Sequence, residues 1–408
     1  MDQINSGDTA WVLTSAALVM LMTPALGFFY GGLVRRKNVL ATIMHSFFIL
    51  ALISVQWVLW GYSLAFGTDH GSIIGGFDFL ALNNVGMEPN ADYAAMIPHY
   101  AYMAFQMMFA VITPALITGS FAERKRFKAF VIFTLAWATF VYAPIAHWVW
   151  GTGGWLRTMG ALDFAGGTVV HISSGVSALV AATVLGKRVG FGKEKMDPHD
   201  LTMTVLGAGL LWFGWFGFNA GSSLGATGLA ASAFVVTNTA AAMGALTWLT
   251  VSWLRHGQPS VLGAAAGAVA GLVAITPAAG YVNGTASIVI GFGAGVICFF
   301  AVDLLKRRVD DALDVFAVHG VGGIWGALAT GIFAQKSINP AGNDGLLYGN
   351  PGQLLIQAVA VIAVAAFAGV ATVIILKVID LAIGLRVPEQ EEVLGLDSSQ
   401  HGEVAYQL

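Results

Sequence analysis

Long apolar stretches separated by short polar segments dominate the chain. A helix that crosses the hydrocarbon core of a bilayer needs roughly 20 apolar residues, and eleven stretches come close to this length. They lie at about 9–34, 39–66, 98–121, 127–149, 164–186, 200–222, 229–254, 260–277, 285–305, 313–333 and 353–384. Because the apolar residues are continuous rather than alternating, the pattern excludes a β-barrel. It predicts an all-α polytopic membrane protein with eleven transmembrane helices.

The composition agrees with a membrane protein. Only 10% of the 408 residues are charged, whereas a soluble domain has about 25%. The net charge of −3 and the lack of a long basic run argue against nucleic acid as a partner. The single cysteine, Cys298, excludes an intramolecular disulfide and a cysteine-built metal site. We therefore expect the lipid bilayer as the surroundings, and neither a metal nor a cofactor.

The basic residues predict the orientation of the spans. Of the nineteen Lys and Arg residues, only Arg157 and Lys336 lie in loops that follow even-numbered spans. By the positive-inside rule, the N-terminus is outside and the C-terminus inside. The odd number of spans agrees with this, since it places the two termini on opposite sides of the membrane. The predicted location is the inner (plasma) membrane of the cell, crossed many times.

Two related motifs indicate an internal repeat. Each has an aspartate at the start of a span and a histidine that is followed four residues later by glycine. The residues are Asp163, His171 and Gly175 in span 5, and Asp314, His319 and Gly323 in span 10. Because five is odd, the second set of five spans crosses in the opposite sense, which is an inverted repeat typical of transporters. We expect repeat one at about 9–187, repeat two at about 200–333, and an extra helix at about 353–384.

His171 and His319 are the first candidates for chemistry. An ionisable side chain deep in a bilayer normally faces a cavity, a pathway or a partner. Two paired imidazoles share one N–H and offer a donor and an acceptor to a small polar guest. The alternative is that they only join neighbouring helices. Asp163 and Asp314 fit helix N-caps, and Asp163 could instead stabilise a nearby cation through space.

Aromatic side chains collect at the outer ends of spans 3, 4 and 6. They are Phe105 and Phe109 in span 3, Trp150 after span 4, and Trp215 and Phe218 in span 6, where Ser222 follows. Ring faces beside a hydroxyl group can hold a small cation, with about 0.5 to 2 kcal/mol from each desolvated ring. An aromatic belt at the membrane interface would also explain Trp150 and Trp215.

Three segments of the sequence resemble the ammonium transporter family, which includes the Amt proteins, the yeast methylammonium permeases and the Rh proteins. The segments are DFAGGTVVHISSGVSALVAATVLGKR from Asp163, GWFGFNAGS from Gly214 and DVFAVHGVGGIWG from Asp314. They lie on the expected spans, and the resemblance covers essentially the whole chain. It implies a transporter of the prokaryotic Amt type, not an enzyme, with ammonium, ammonia and methylammonium as substrates.

The resemblance also implies a role for each candidate residue. The outer recruitment site for ammonium would consist of Phe105, Phe109, Trp150 and Ser222. Phe109 and Phe218 would form a phenylalanine gate, with Asp163 as the supporting acid. Ammonium would lose its proton there, and ammonia would cross a narrow apolar pore lined by the twin histidines His171 and His319. The proton either follows through the histidine pair, which would make transport electrogenic, or returns to the outside.

Members of the family form homotrimers, and their cytoplasmic tail contacts neighbouring subunits and a PII-type regulatory protein. Residues 386–408 resemble that tail, although Pro388 and Gln390 interrupt its acidic run. Residues 1–385 would form the transmembrane domain.

Two other functions are considered. An ammonium sensor with incidental flux would be expected to add a soluble signalling domain, and only about 22 residues follow span 11. An intramembrane hydrolase that used the two histidines as metal ligands would need a motif such as HExxH, which the sequence lacks.

Overall fold

The computed structural model describes residues 4–407, and this part of the chain is nearly all helical. Ten of its helices are long and apolar enough to cross a membrane, and an eleventh apolar helix is shorter. In chain order they are α1 (Ser6–Leu33), α2 (Arg36–Phe66), α3 (His99–Phe121), α4 (Phe127–Met159), α5 (Gly167–Leu185), α6 (Leu201–Ser223), α7 (Gly228–His256), α8 (Val261–Ile275), α9 (Gly284–Leu305), α10 (Phe316–Phe333) and α11 (Pro351–Ile383). The predicted polytopic helical fold is confirmed, with small shifts at the helix ends.

Polar side chains fix where several helices begin. A side-chain oxygen accepts the backbone N–H three residues further on before α1, α6, α7, α8 and α9, which satisfies an amide that has no partner within the helix. The residues are Asn5, Asp200, Thr227, Ser260 and Asn283. Such caps explain why apolar stretches of similar composition start at defined positions.

The segment between α2 and α3 contains four short strands. They are β1 (Asp69–His70), β2 (Ile74–Gly75), β3 (Pro89–Asn90) and β4 (Ala94–Pro98), paired antiparallel as β1 with β2 and β3 with β4. This segment covers one end of the bundle, and it brings Asp69 to the last turn of the Ala143–Trp150 part of α4.

The helices pack in an order that differs from their order in the chain. α1 lies along α6, α7 packs against both α8 and α9, and α11 contacts both α5 and α10. Glycines permit close approach between α7 and α8, since a Cβ added at Gly271 would lie 3.0 Å from the Cα of Ala241. The two histidine-bearing helices, α5 and α10, cross at the centre of the bundle.

Both of these helices begin with a π-helical segment that contains the histidine. The segments are Gly167–Ile172 and Phe316–Gly320, and each continues into an α-helix of 13 residues. The glycine four residues after each histidine faces the other segment: Gly175 lies against the backbone of Gly320, and a Cβ added at Gly323 would lie 3.0 Å from the Cβ of His171. These glycines therefore permit the two segments to touch.

Charged residues at the ends of α1, α3, α5 and α9 form a network at one end of the bundle. Arg188 pairs with Asp310 at 2.7 Å and with Glu123 at 3.1 Å, and Arg35 pairs with Glu123 at 2.8 Å. Burial alone would raise the pKa of Glu123, but Arg188 and Arg35 hold this pKa below its ordinary value. The loops that were expected to share one side of the membrane thus meet on one face, called the basic face below.

The C-terminal segment folds onto this basic face. It contains a short helix, α12 (Glu389–Leu394), whose Glu392 pairs with Arg386 at 2.7 Å and accepts the N–H of Val189 at 2.6 Å. Further along, the Asp397 carboxylate accepts the backbone N–H groups of Leu40 and Ala41. The segment therefore joins the start of α2 to the loop that follows α5.

The close contact at Gly175 leads to a stability prediction. Replacing Gly175 with alanine is expected to lower the melting temperature of the purified protein in detergent, because the new Cβ would overlap the Gly320 backbone, and overpacking costs about 1 to 3 kcal/mol. Gly209→Ala is the matched control, since a Cβ at Gly209 in α6 meets no atom within 4 Å. Equal melting temperatures for the two variants would contradict the close approach.

Candidate functional site

The two histidines meet at the crossing of α5 and α10. The Nδ1 atoms of His171 and His319 are 3.2 Å apart, and the ring planes differ by 23°. One Nδ1 must carry the hydrogen that the other accepts. In a pair of neutral rings, the donating ring then has a lone pair at Nε2 and the accepting ring has an Nε2–H. The pair therefore presents one acceptor and one donor.

A small cavity lies beside the histidine pair. Its volume is about 10 Å³, which is about the least that holds one water-sized molecule. The lining is otherwise apolar and includes Leu26, Leu116, Leu211 and Val269. The buried Nε2 of His171 has no hydrogen-bond partner among residues 4–407. The cavity thus combines an apolar wall with an unused polar atom.

Trp215 extends the site in a way that sequence reasoning missed. Its ring stacks on His171 with centroids 5.5 Å apart and an angle of 20°, and its Nε1–H donates to Thr276 Oγ1 at 2.9 Å. The residue is only 2% exposed, so the interpretation of Trp215 as a belt residue is wrong. Trp215 and Phe218 are three residues apart, which places them on the same face of α6. This spacing was the feature of the sequence that indicated a shared position for the two rings.

Three phenylalanines lead from the cavity towards the end of the bundle opposite the basic face. Phe218 lies 6.1 Å from His171 and 4.3 Å from Phe109, measured between ring centroids. Phe105 follows at 4.9 Å from Phe109. All three side chains are about 1% exposed. The structure therefore brings Phe105, Phe109 and Phe218 together in one continuous path to His171.

Trp150 and Ser222 lie beside these rings. Trp150 stands perpendicular to Phe109 at 5.8 Å, and its Nε1–H donates to the carbonyl oxygen of Asp163 at 2.9 Å. The Ser222 hydroxyl donates to Phe218 O at 2.8 Å, so its lone pairs stay available as acceptors. Its neighbour Gly221 lies against Phe105.

Asp163 occupies the start of α5. Its buried carboxylate accepts the backbone N–H groups of Gly166 at 2.8 Å, Gly167 at 2.6 Å, Thr168 at 2.8 Å and Val169 at 3.2 Å, as well as the Thr168 hydroxyl. These amides and the helix dipole stabilise a negative charge at this point. The carboxylate is therefore held rigidly at the start of α5, in the residue whose backbone carbonyl oxygen binds Trp150.

Asp314 differs from its expected role as a helix cap. The backbone N–H of Phe316 at the start of α10 donates to the Asp311 carboxylate at 2.7 Å. Asp314 has a φ of 58°, and no hydrogen bond of its carboxylate is found among residues 4–407. Burial raises the pKa of Asp311 to about 6. The capping carboxylate thus lies three residues before the position that the sequence motif suggested.

A bundle of apolar helices around a narrow cavity with two histidines defines a multi-pass membrane transport protein. The chain belongs to the ammonium transporter family, whose model matches residues 10–406. It is 54% identical over 403 residues to the ammonium transporter of Bacillus subtilis (strain 168), which covers 98% of each chain. These findings confirm the predicted family and indicate a transport protein rather than an enzyme.

The fold of this chain is also similar to solved structures of proteins named Mep2 and Amt. The crystal structure of Mep2 from Saccharomyces cerevisiae has a TM-score of 0.91 and 38% identity, over 99% of this chain and 92% of that one. A structure described as a sensor Amt protein has a TM-score of 0.90 and 30% identity, over 98% of this chain and 99% of that one.

The two aspartates before α10 can be tested separately. Asp311→Ala is expected to lower the melting temperature of the purified protein, because loss of an N-cap costs about 1 kcal/mol. Asp311→Asn should be milder, since asparagine also caps helices. Asp314→Asn is the matched control, because asparagine tolerates a positive φ. If Asp314→Asn lowered the melting temperature as much as Asp311→Ala, the assignment of Asp311 as the residue that caps α10 would be wrong.

Proposed function

We propose that this protein transports ammonium by deprotonating it at the aromatic group and conducting ammonia past the two histidines. The observation that carries the proposal is the cavity of about 10 Å³ beside the histidine pair, where the described part of the chain supplies no hydrogen-bond partner for Nε2 of His171. A guest of that size with both donor and acceptor capacity matches ammonia. A hydrated cation is too large for it.

Recruitment of the ion would take place at Phe105, Phe109, Trp150 and Ser222. Ring faces attract a desolvated cation by about 0.5 to 2 kcal/mol each, and the hydroxyl lone pairs of Ser222 can accept an N–H. The Trp150 indole binds the backbone carbonyl oxygen of Asp163, and the carboxylate of the same residue would add a negative charge near this site. Phe109 and Phe218 would act as the gate, since their contact at 4.3 Å separates this group from His171.

Selectivity would follow from acid–base chemistry. An ion that entered the apolar cavity whole would lose hydration that two neutral imidazoles cannot replace. Potassium meets the same penalty and has no proton to give up. Ammonium can leave its proton at the recruitment site and continue as neutral ammonia, which accepts from one Nε2 and donates to the other.

The proton would cross separately through the histidine pair, which makes transport electrogenic. The contact of 3.2 Å between the two Nδ1 atoms supports this route, because a hydrogen shared between rings can pass from one to the other. Methylammonium would enter by the same recruitment site.

The arrangement in the membrane belongs to the same proposal. Eleven spans would run with the N-terminus outside and the basic face inside, in the inner (plasma) membrane. Packing of α1 along α6 and of α5 across α10 supports the inverted repeat. α9 exposes Phe292 and Phe300, which fits burial against lipid or against neighbours in a homotrimer. The tail on the basic face would be the regulatory segment that a PII-type protein contacts.

A sensor function is the second candidate, and the likeness to a sensor Amt protein favours it. A sensor would bind ammonium at the same aromatic group but would not need sustained flux. Ammonium current through the purified protein alone, reconstituted in planar lipid, separates the two, since a transporter conducts without any partner.

Replacing His171 or His319 with alanine tests the pore. Either variant is expected to abolish methylammonium uptake or to lose the discrimination against potassium, because the donor and acceptor pair is broken. Current in planar lipid under ammonium and then potassium gradients measures both properties. His256→Ala, at the exposed end of α7, is the control. Unchanged uptake and selectivity in both variants would refute the pore assignment.

Replacing Phe218 with alanine tests the gate. The loss of one ring from the contact with Phe109 is expected to change both the uptake rate and the methylammonium concentration at half-maximal uptake. Phe216→Ala is the matched control, since Phe216 stacks on Phe234 of α7 at 3.9 Å, away from the site. A Phe218→Ala protein with wild-type rate and affinity would show that these rings do not gate the pore.

A further inference from the structure

His147 is a buried histidine that has no part in the cavity described above. It lies in the last turn of the Ala143–Trp150 part of α4, and its side chain is 0% exposed. Nδ1 lies 2.9 Å from the carbonyl oxygen of Ala65, and Nε2 lies 2.8 Å from Oδ1 of Asp69. Both ring nitrogens are therefore engaged.

Both partners of this ring are hydrogen-bond acceptors. A carbonyl oxygen and a carboxylate can only accept hydrogen bonds, and the two ring nitrogens of His147 lie opposite these two acceptors. The hydrogen bond from His147 lowers the pKa of Asp69, which favours its carboxylate form. His147 thus contacts a carbonyl oxygen on one side and a carboxylate on the other.

The pair joins two elements that border the recruitment site. Ala65 lies in the last turn of α2 and Asp69 begins β1, whereas His147 precedes Trp150 by three residues, which is about one helical turn. The indole of Trp148 adds a second link, because its Nε1–H donates to Ile73 O at 2.8 Å. The last turn of this part of α4 is therefore anchored to the β1–β2 hairpin.

The turn after Trp150 is packed tightly against the same histidine. A Cβ added at Gly151 would lie 2.5 Å from Nδ1 of His147 and 2.9 Å from Ala65 O. Arg157 donates to the Trp150 carbonyl oxygen at 2.6 Å. The backbone of Trp150 is thus fixed on one side by Arg157 and on the other by the packing around His147.

We propose that Asp69 and His147 form a hydrogen-bonded positioning pair that holds Trp150 against Phe109 and Asp163 and thereby sets the affinity for ammonium. The inference rests on the proposed recruitment role of Trp150. If the pair is broken, the end of the helix gains freedom and the indole loses its fixed place in the aromatic group. The pair does not touch the substrate, so it acts on affinity through Trp150.

The variants remove one partner at a time. In Asp69→Asn the carboxylate is lost, and the charge-assisted hydrogen bond to His147 Nε2 is replaced at best by a weaker one that involves the neutral amide. In His147→Gln the side chain can reach only one of the two acceptors. Asp92→Asn is the matched control, because it removes an equal charge from the same loop while the Asp92 carboxylate makes no hydrogen bond among residues 4–407.

Methylammonium uptake into liposomes gives KM and maximal rate for each protein. Asp69→Asn and His147→Gln are each expected to raise KM by roughly threefold or more with the maximal rate largely kept. Because the two residues act as one unit, the KM of the double variant should not exceed the higher of the two single-variant KM values. Asp92→Asn should match wild type. A purely structural role would lower the amount of active protein, hence the maximal rate, without moving KM.

Trp150→Ala in the same assay separates the two levels of the proposal. If Trp150→Ala raises KM but Asp69→Asn and His147→Gln do not, the positioning pair is wrong while the recruitment site stands. If Trp150→Ala leaves KM unchanged, the recruitment site itself is wrong. If His147→Gln fails to fold, the KM of Asp69→Asn alone tests the positioning pair. The Asp69 side chain is 29% exposed, so it tolerates an isosteric change.

Discussion

The contact between the two histidine segments is the constraint on which the rest of the site depends. Gly175 and Gly323 let each segment touch the backbone of the other, and only then can two imidazoles on different helices approach to 3.2 Å. A shared hydrogen at that distance leaves an acceptor and a donor facing the cavity. The size of the cavity follows from the same approach, since larger residues at these glycines would push α5 and α10 apart.

Charge is kept out of the cavity and placed at defined points around it. Asp163 is buried, but four backbone amides and a hydroxyl group satisfy its carboxylate, so it needs no basic partner. Arg188, Glu123 and Asp310 instead neutralise one another at the basic face. The lining of the cavity offers hydrogen bonds but no counter-charge, so the proposed pore would favour a neutral guest over an ion.

Local patterns in the sequence predicted the helices and the histidine pair, because apolar length and motif spacing are properties of a short segment. Three features were beyond such patterns. Asp311 caps α10 because the chain turns through a positive φ at Asp314. Trp215 is buried by α8 and His171 rather than placed at an interface. The pairing of His147 with Asp69 joins residues 78 positions apart. Each of these three features depends on contacts between distant segments, which the spacing of neighbouring residues in the sequence does not indicate.

The helix that follows the two proposed repeats, α11, has a physical role of its own. Where the chain enters α5, the backbone N–H and C=O of Leu162 lie in the protein interior, where no water replaces a missing partner. Gln357 of α11 satisfies both, at 2.7 Å and 2.8 Å, and also donates to Ala327 O of α10 at 3.1 Å. Because Leu162 directly precedes Asp163, this one amide links α10 and α11 to the acid at the start of α5. Without α11 the two backbone groups of Leu162 would lose these partners, so this helix supports the start of α5 as well as the bundle.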